Sequence, residues 1–422
     1  MLASRVCSTW RNFALGTSSL WRELEFKGKR NDIKRAEVYM ERCNDGPLFI
    51  IMDLYPDRPN VGSEIEKILD LIVSQVGRWG SLKAKIAAGK PMNIVLDRLY
   101  ACKEAPQLRS LCLLAFDYYE VADFGATEGV DRPKRLFSGN TPMLRQLFLH
   151  GVPLAWEANL AVFAGLENLV LQSYHLAHRP SYEQWARILS RAHNIRSITV
   201  SDSGPNATNQ SLPHEGTIIV SRLEELIIGS LEPATATAIM HRLDTPRLRV
   251  LELDPGQEYA YKNFLHRVLL NARNPFSPLP RLNELRLGCL NLTPGDVETL
   301  YGSLPVLRVL RLDLTTLQEH FLTLINPPSK VAASRRYGPL PNLTELFLIG
   351  EAGVLEPLKT TVRRRQAISD IIPQLCTKIE KLVLCWLDTM LAPEAVKRLR
   401  TLVEDVRVLA GDGYDGAELN YE

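Results

Sequence analysis

Residues Pro280 to Leu287 read PRLNELRL, a turn residue followed by Leu-x-x-Leu-x-Leu. Because alternate side chains of a strand share a face, Leu285 and Leu287 point the same way, and Leu282 enters from the preceding turn. The proline ends any helix before it, since it has no N–H and restricts the residue that precedes it. The stretch therefore predicts a tight turn that leads into a short strand with one apolar face.

The same phrase returns along most of the chain. Clear copies open at Leu108, Leu144, Leu248, Leu307 and Leu343, and weaker ones at Leu166, Ile195, Leu223 and Ile379. Successive openers lie 22 to 36 residues apart. The sequence between them suits helices at 181–193, 232–243, 258–272 and 293–304, and the sequence before the first copy suits helices at 33–43 and 64–79. An ordinary doubly wound α/β domain is the alternative, but so uniform a strand phrase favours a solenoid. We predict an irregular α/β solenoid, with a parallel sheet on the concave side and helices on the convex side.

The phrase resembles that of the leucine-rich-repeat family, with one departure. The family places Asn or Cys three residues after the third Leu, where the side chain bonds to the turn backbone. This chain has other residues there: Phe116, Val152, Tyr174, Leu231, Gly256, Leu290, Thr315 and Glu351. Cys289 comes one place early, and we expect a small core residue there. The resemblance implies degenerate repeats with irregular curvature.

The amino terminus carries a second pattern, VCSTWRNFALGTSSLWREL from Val6 to Leu24. Val6, Trp10 and Phe13 or Ala14 fall at helical spacing, and a Ser-rich turn and Leu20-Trp21 follow. The order of helix, turn and Leu-Trp before a leucine-rich solenoid resembles the second half of an F-box in F-box-like proteins, which are abundant in fungi. The resemblance implies that Val6, Trp10, Leu20 and Trp21 either contact a Skp-type adaptor or form the F-box core.

The stretch also departs from the F-box pattern. The Leu-Pro-rich turn and first helix of that module are absent, and we expect either that they belong to the natural transcript or that the protein has lost them. A mitochondrial presequence is the alternative, since Arg5, Arg11 and Arg22 precede the first acidic residue, Glu23. That alternative leaves Leu20-Trp21 and the solenoid behind it unexplained. We predict three segments: a partial F-box-like segment at 1–33, the solenoid at 34–403 and an acidic tail at 404–422.

Composition limits the class of protein. The 422 residues are 45% hydrophobic and 23% charged, which predicts a well-buried core. A net charge of +2 argues against a general nucleic-acid binder. The seven cysteines include no C-x-x-C pair, which favours a reducing, cytoplasmic or nuclear, compartment. No apolar run has the length of a membrane span, so we expect no membrane partner.

Motifs that would indicate chemistry are weak. The pattern GDGYDG at 411–416 fits G-x-G-x-x-G but leaves no room for the helix that a dinucleotide site needs. His175 and His178 have no Cys or carboxylate at ligand spacing, so a solvated loop is favoured over a metal site. Arg335-Arg336 and 363–365 each lie in an irregular insert, and each suits a nuclear-localisation patch, a contact with an acidic partner or, preferably, a solvated helix face or loop. We therefore expect no catalytic, cofactor or metal site, although a diffuse enzyme site stays open.

Function follows from the resemblance and the solenoid. The resemblance implies a receptor that recruits an unknown protein substrate to a cullin-type ubiquitin ligase through a Skp-type adaptor. The alternative is a leucine-rich-repeat scaffold with no ubiquitin role, in which the N-terminal segment only caps the first repeat. A solenoid needs such a cap, because an uncovered repeat end exposes apolar surface.

Overall fold

A computed structural model describes residues 7–54, 61–116, 134–206, 216–240, 243–256, 261–271, 274–326, 338–350, 352–386 and 393–410. The chain divides into two compact units, Met1–Asn206 and Ala207–Glu422. Each unit contains its own run of parallel strands, called here the first sheet and the second sheet, and the units are described in turn.

In the first unit, seven parallel strands pair in chain order. They are β1 (Glu23–Phe26), β2 (Leu48–Leu54), β3 (Trp79–Ala87), β4 (Ser110–Phe116), β5 (Gln146–His150), β6 (Asn168–Gln172) and β7 (Ser197–Ser201). The α-helices of this unit are α1 (Ser8–Gly16), α2 (Asp32–Arg42), α3 (Val61–Val73), α4 (Lys90–Ala101) and α5 (Tyr182–Arg191). Strands that pair with their neighbours in chain order, all parallel, are what the repeated phrase predicts.

The second unit repeats this plan. It contains the two-residue strands β8 (Ile218–Ile219) and β10 (Leu243–Asp244), which pair with each other in parallel. Its main parallel sheet comprises β9 (Glu225–Gly229), β11 (Val250–Asp254), β12 (Glu284–Leu287), β13 (Val309–Asp313), β14 (Glu345–Gly350), β15 (Lys381–Trp386) and β16 (Asp405–Ala410). Its α-helices are α6 (Pro233–Met240), α7 (Lys262–Phe264), α8 (Pro294–Gly302), α9 (His320–Thr323), α10 (Leu355–Ile371) and α11 (Pro393–Arg400). The predicted α/β class and leucine-rich-repeat-like solenoid are confirmed.

The leucines of the phrase form the core of each sheet. In the second unit Leu251, Leu285, Leu310 and Leu346 stand opposite one another on successive strands, and all four are fully buried. The residues between them on the strands are partly exposed, because strand side chains alternate between the two faces. Burying one leucine contributes about 1.5–3 kcal/mol, so a register slip that exposed this row would be costly.

A left-handed residue replaces the missing asparagine in the turn after several strands. Gly151, Ser173, Ser230 and Cys289 have φ between 44° and 61°. The next residue in each case is fully or almost fully buried: Val152, Tyr174, Leu231 and Leu290. The left-handed residue redirects the chain, and the following apolar side chain enters the core. Cys289 is thus a half-exposed turn residue, and the expectation of a small core residue was wrong.

The predicted helices are present, but two long ones were missed. Helices α2, α3, α5, α6 and α8 overlap the predicted segments, and the predicted 258–272 segment contains α7 followed by a π-helical turn, Leu265–Leu269. Helix α4 was not predicted, and α10 occupies a region expected to be an irregular insert. Strand β1 lies within the predicted F-box-like segment at 1–33, and β16 lies within the predicted tail at 404–422. Within the described ranges, no helix is both long and apolar enough to span a membrane.

Candidate functional site

The second sheet carries a chain of charges on the face opposite its leucines. We call this face of β9 and β11 to β16 the polar sheet face. Its members are partly exposed and include Glu225, Glu252, Glu284, Arg286, Arg311, Glu345, Phe347, Lys381, Asp405 and Arg407. Extended exposed sheets of this kind are the surfaces that repeat proteins use to bind other proteins. The polar sheet face is therefore the first candidate site.

Arg286 is the centre of this charge chain. Its guanidinium lies 2.7 Å from Glu284, 3.1 Å from Glu252 and 3.3 Å from Glu225. Because these carboxylates come from three strands, one arginine ties together β9, β11 and β12. Cross-strand pairs of opposite charge stabilise a sheet, and here they also hold the side chains in one arrangement.

The chain of contacts continues across the later strands through Phe347. Arg311 lies 2.6 Å from Glu284 and stacks on the Phe347 ring, with 4.1 Å from its guanidinium carbon to the ring centroid. Lys381 lies 5.4 Å from the same ring centroid and 2.9 Å from Glu345. Such cation–π contacts hold two cations beside one ring. The result is an ordered row in which positive and negative groups alternate.

Burial and pairing shift the pKa of two groups in this row. Burial raises the pKa of Glu252, although Arg286 opposes the shift. Burial also lowers the pKa of Arg286, but Glu284 and Glu252 together outweigh that effect and raise it overall. In both groups the effect of burial is opposed by ion pairing, as in a network of partly buried charges.

The equivalent face of the first sheet is more aromatic. The Phe116 and His150 rings stack with their centroids 4.8 Å apart, and Lys85 lies 5.4 Å from the Phe116 centroid. Burial lowers the pKa of His150, and its hydrogen bond with Gln172 opposes that shift. Phe49 on β2 is 42% exposed. On this face, aromatic stacking and apolar contacts are available to a partner in place of the charge chain.

Helix α1 carries an uncovered apolar surface, the second candidate site. Trp10 is 56% exposed and Phe13 66% exposed, and Leu15 and Leu20 are also exposed. We call these four residues the N-terminal apolar patch. The helix begins after Cys7, whose sulfur accepts a hydrogen bond from the Trp10 N–H, and ends near Thr17, whose hydroxyl donates to the Phe13 carbonyl. Large aromatic side chains exposed together on one short helix are typical of a binding surface.

Trp21 fixes this helix to the first sheet. Its side chain is 1% exposed, its indole N–H donates to the Ala14 carbonyl at 2.7 Å, and Arg42 stacks over its ring. Trp79 makes the same contact at the end of α3, donating to the Ile72 carbonyl seven residues before it at 3.0 Å. Helix α1 and Trp21 thus occupy the place of a repeat's return helix and strand entry.

The structure separates the residues that the F-box resemblance implied. Trp10 and Leu20 belong to the N-terminal apolar patch, whereas Trp21 is buried and fits only the core role of the two that were expected. Val6 lies outside the described residues. Trp10 and Leu20 are thus accessible at the surface, while Trp21 holds their helix in place.

Within the described residues, the other sequence candidates do not come together in a metal-binding group. The His175 and His178 rings lie 6.3 Å apart, and among the residues described no group of three or more His, Cys, Asp or Glu could hold a metal. Arg363 and Arg364 are exposed on α10, as a solvated surface would be, but Arg365 is fully buried, so the expectation of one solvated arginine run was wrong for it. Residues 335–336 and 411–416 lie outside the described part of the chain.

Comparisons with known proteins were made at three levels. No protein-family model matches the chain, and no curated protein matches it significantly in sequence. Among solved structures, it is similar to the leucine-rich repeat-containing protein LegL7 from Legionella pneumophila, with 12% identity and a TM-score of 0.41 over 84% of this chain and 99% of that one. It is also similar to a chain of the Rad7 and Elc1 complex from yeast, with 11% identity and a TM-score of 0.32 over 81% of this chain and 90% of that one.

Sequence reasoning found the solenoid but missed the charge chain on its face. The signal was present, since the positions between the leucines of β9, β11 and β12 read Glu225, Glu252 and Glu284-Arg286. The repeat lengths differ, so the register between strands was needed before these charges could be placed side by side.

Proposed function

We propose that this protein recruits a protein substrate to a cullin-type ubiquitin ligase. In this proposal the N-terminal apolar patch docks on the Skp-type adaptor, and the sheet faces hold the substrate. The chain itself forms no covalent bond with the substrate in this proposal, and it acts in the cytoplasm or nucleus. Its contribution is positional, because many shallow contacts along an extended sheet sum to a specific complex.

The observation that carries the proposal is the exposure of Trp10 and Phe13. A terminal cap of a solenoid presents a polar outer face to water. Here the outer face of α1 is aromatic, while Trp21 and Ala14 already supply the inward contacts. A helix that only closed the first repeat would not need this outer surface, so a partner that buries it is the better explanation. The F-box resemblance of the same stretch supports a Skp-type adaptor as that partner.

A scaffold without a ubiquitin role is the second candidate. It is favoured by the equivalence of Trp21 and Trp79, since both tie a helix end to the strand that follows. On that alternative α1 is a first repeat helix, and its outer face binds no adaptor.

A pull-down of purified Skp-type adaptor by the folded chain separates the two candidates. We expect capture by the wild type, loss of capture by Trp10→Ala/Phe13→Ala, and capture by the matched control Ile371→Ala, because Ile371 is 79% exposed on α10 in the other unit. Circular dichroism would confirm that all three chains are folded. Failure of the folded wild type to bind, or equal binding by the patch variant, would refute adaptor docking and leave the scaffold.

A further inference from the structure

Four arginines line one groove at the edge where the strands of the second sheet begin. The groove has a volume of about 710 Å³ and is lined by the turns that precede β11, β12, β13 and β14. The first three turns contribute the residue after the proline and the residue after the first leucine of the phrase, and the fourth turn contributes only the residue after the proline. The contributors are Arg247 and Arg249, Arg281 and Asn283, Val306 and Arg308, and Asn342. The groove residues therefore form two rows, one of residues that follow the prolines and one of residues that follow the first leucines.

Backbone hydrogen bonds hold one row in register. The Asn283 N–H donates to the Arg249 carbonyl at 2.8 Å, and the Arg308 N–H donates to the Asn283 carbonyl at 2.9 Å. The Thr344 N–H donates to the Arg308 carbonyl at 3.0 Å. Since neighbouring strands lie about 4.8 Å apart, Arg249 and Arg308 stand roughly 10 Å apart along the groove. Their charges are spread along a line and do not converge on one point.

These arginines differ from those of the polar sheet face. Arg247, Arg249, Arg281 and Arg308 are all exposed, and within the described residues none of them forms an ion pair. Arg286 and Arg311, by contrast, are each paired with glutamates. Guanidinium groups stay charged at every physiological pH, so the groove concentrates four like charges that an anionic partner would relieve.

We infer that the groove binds a short acidic polypeptide segment in an extended conformation. Carboxylates are matched by the guanidinium fork, and the long, flexible arginine side chains can reach carboxylates that recur about every 6.5–7 Å on one side of an extended segment. Val306, which is 44% exposed, offers an apolar contact between the charged positions, and the amides of Asn283 and Asn342 offer polar ones.

The ends of the row favour a peptide over a nucleic acid. Glu224 precedes Arg249 in the register and Glu380 follows Thr344, each joined by a backbone hydrogen bond of 2.9 or 2.8 Å. Both glutamates are exposed. A long polyanion would run past the arginines onto these carboxylates and be repelled, whereas a segment of a few acidic residues fits between them.

Fluorescence anisotropy with a labelled hexaglutamate peptide tests the inference on the full chain. We expect salt-sensitive binding that weakens about tenfold or more in Arg249→Glu/Arg308→Glu. The matched control Arg363→Glu/Arg400→Glu changes the same charge at two other exposed arginines of the unit and should bind like the wild type. An Arg249→Gln/Arg308→Gln pair provides a milder variant if charge reversal lowers the stability.

Three outcomes would overturn the inference. They are no binding by the folded wild type at low salt, equal weakening in the groove and control variants, and tighter binding of a single-stranded oligonucleotide of the same charge. The inference does not rest on adaptor docking, because Trp10→Ala/Phe13→Ala should leave peptide binding unchanged. Failure of one proposal is thus distinguishable from failure of the other.

Discussion

Arg365 holds three separate backbone segments from the middle of α10. It donates to the carbonyls of Ile325 and Leu340 at 2.6 Å and to that of Thr377 at 2.9 Å. Burial lowers its pKa to about 10, so it remains charged at neutral pH. Leu340 has a φ of 49°, the left-handed region that a leucine seldom adopts. The Arg365 side chain therefore has a structural role, since it holds these backbone segments together.

Replacing Arg365 should destabilise the protein strongly. Arg365→Leu leaves three carbonyls without their donor, and we expect a loss on the order of 3 kcal/mol or more in the free energy of unfolding. Urea denaturation of the variant measures this loss. Arg363→Leu on the exposed side of α10 is the matched control and should change stability by less than about 0.5 kcal/mol. Similar midpoints for the two variants would contradict the structural role of Arg365.

Asp296 links stability to acid pH. It caps α8 through Thr293, and it contacts His266 at 2.8 Å and Lys262 at 3.3 Å. The hydrogen bond with Thr293 and the contact with His266 hold the pKa of Asp296 well below its usual value, although burial opposes them.

A depressed carboxyl pKa contributes stability that is present above the unfolded value, about 3.9, and is lost as pH falls through the lower folded value. We expect Asp296→Asn to be less stable than the wild type at pH 6. The gap in thermal midpoint should then narrow as pH falls below about 4. A gap that stays constant from pH 6 to pH 3 would show that the carboxylate charge is not involved.

At the scale of the strand, Arg286 neutralises a row of glutamates on the polar sheet face. Arg286→Ala removes the cation that Glu225, Glu252 and Glu284 share, although Glu284 keeps Arg311, and we expect a loss of about 1–3 kcal/mol at pH 7. Protonation relieves the repulsion between these carboxylates, so the difference from the wild type should shrink toward pH 4. Urea titrations at the two pH values check this, and Arg407→Ala, which removes the exposed ion pair with Asp405, is the control. An equal loss at both pH values would exclude carboxylate repulsion as the cause.

The elements also show what sequence alone could predict. The Leu-x-Leu phrase predicts the strands well, because every second residue is apolar and a strand places these residues on one buried face. Helix α10 was missed because its arginines suggested a solvated insert, and only the tertiary structure shows that one of them is buried. The basic groove was equally hidden, since Arg249 and Arg308 are far apart in the chain and become neighbours only through strand register. The sequence predicts that α1 is a helix, but it does not predict that the outer face of this helix is exposed.

Over the whole molecule, the cysteines provide a readout of folding. All seven lie in described regions and none is in a disulfide; Cys7 is exposed, Cys289 is half-exposed, and the other five are buried. Burial, with the neighbouring Asp254 carboxylate, raises the pKa of Cys289 to about 11, which makes its thiolate scarce at pH 8.

A thiol reagent at pH 8 should therefore label Cys7 rapidly, Cys289 slowly and the rest only on unfolding. Peptide mass mapping of the labelled chain over time checks the order. Unfolding midpoints with and without reductant should coincide. Rapid labelling of Cys43 or Cys376 in the native protein would contradict the burial described above.

The strand register makes the second sheet modular. Val250 stands opposite Glu284, and Glu284 opposite Val309, so each strand presents its neighbour with the same starting position although the return segments differ in length. Excising residues 284–308 would bring Val309 to the place that Glu284 holds beside Val250. Because each repeat contacts chiefly its neighbours, the strands on either side of the deletion would pair in the same register as before. Such a sheet can gain or lose a whole repeat by recombination while the packing of the remaining core is kept. Recombination of this kind would alter the width of the binding surface in evolution.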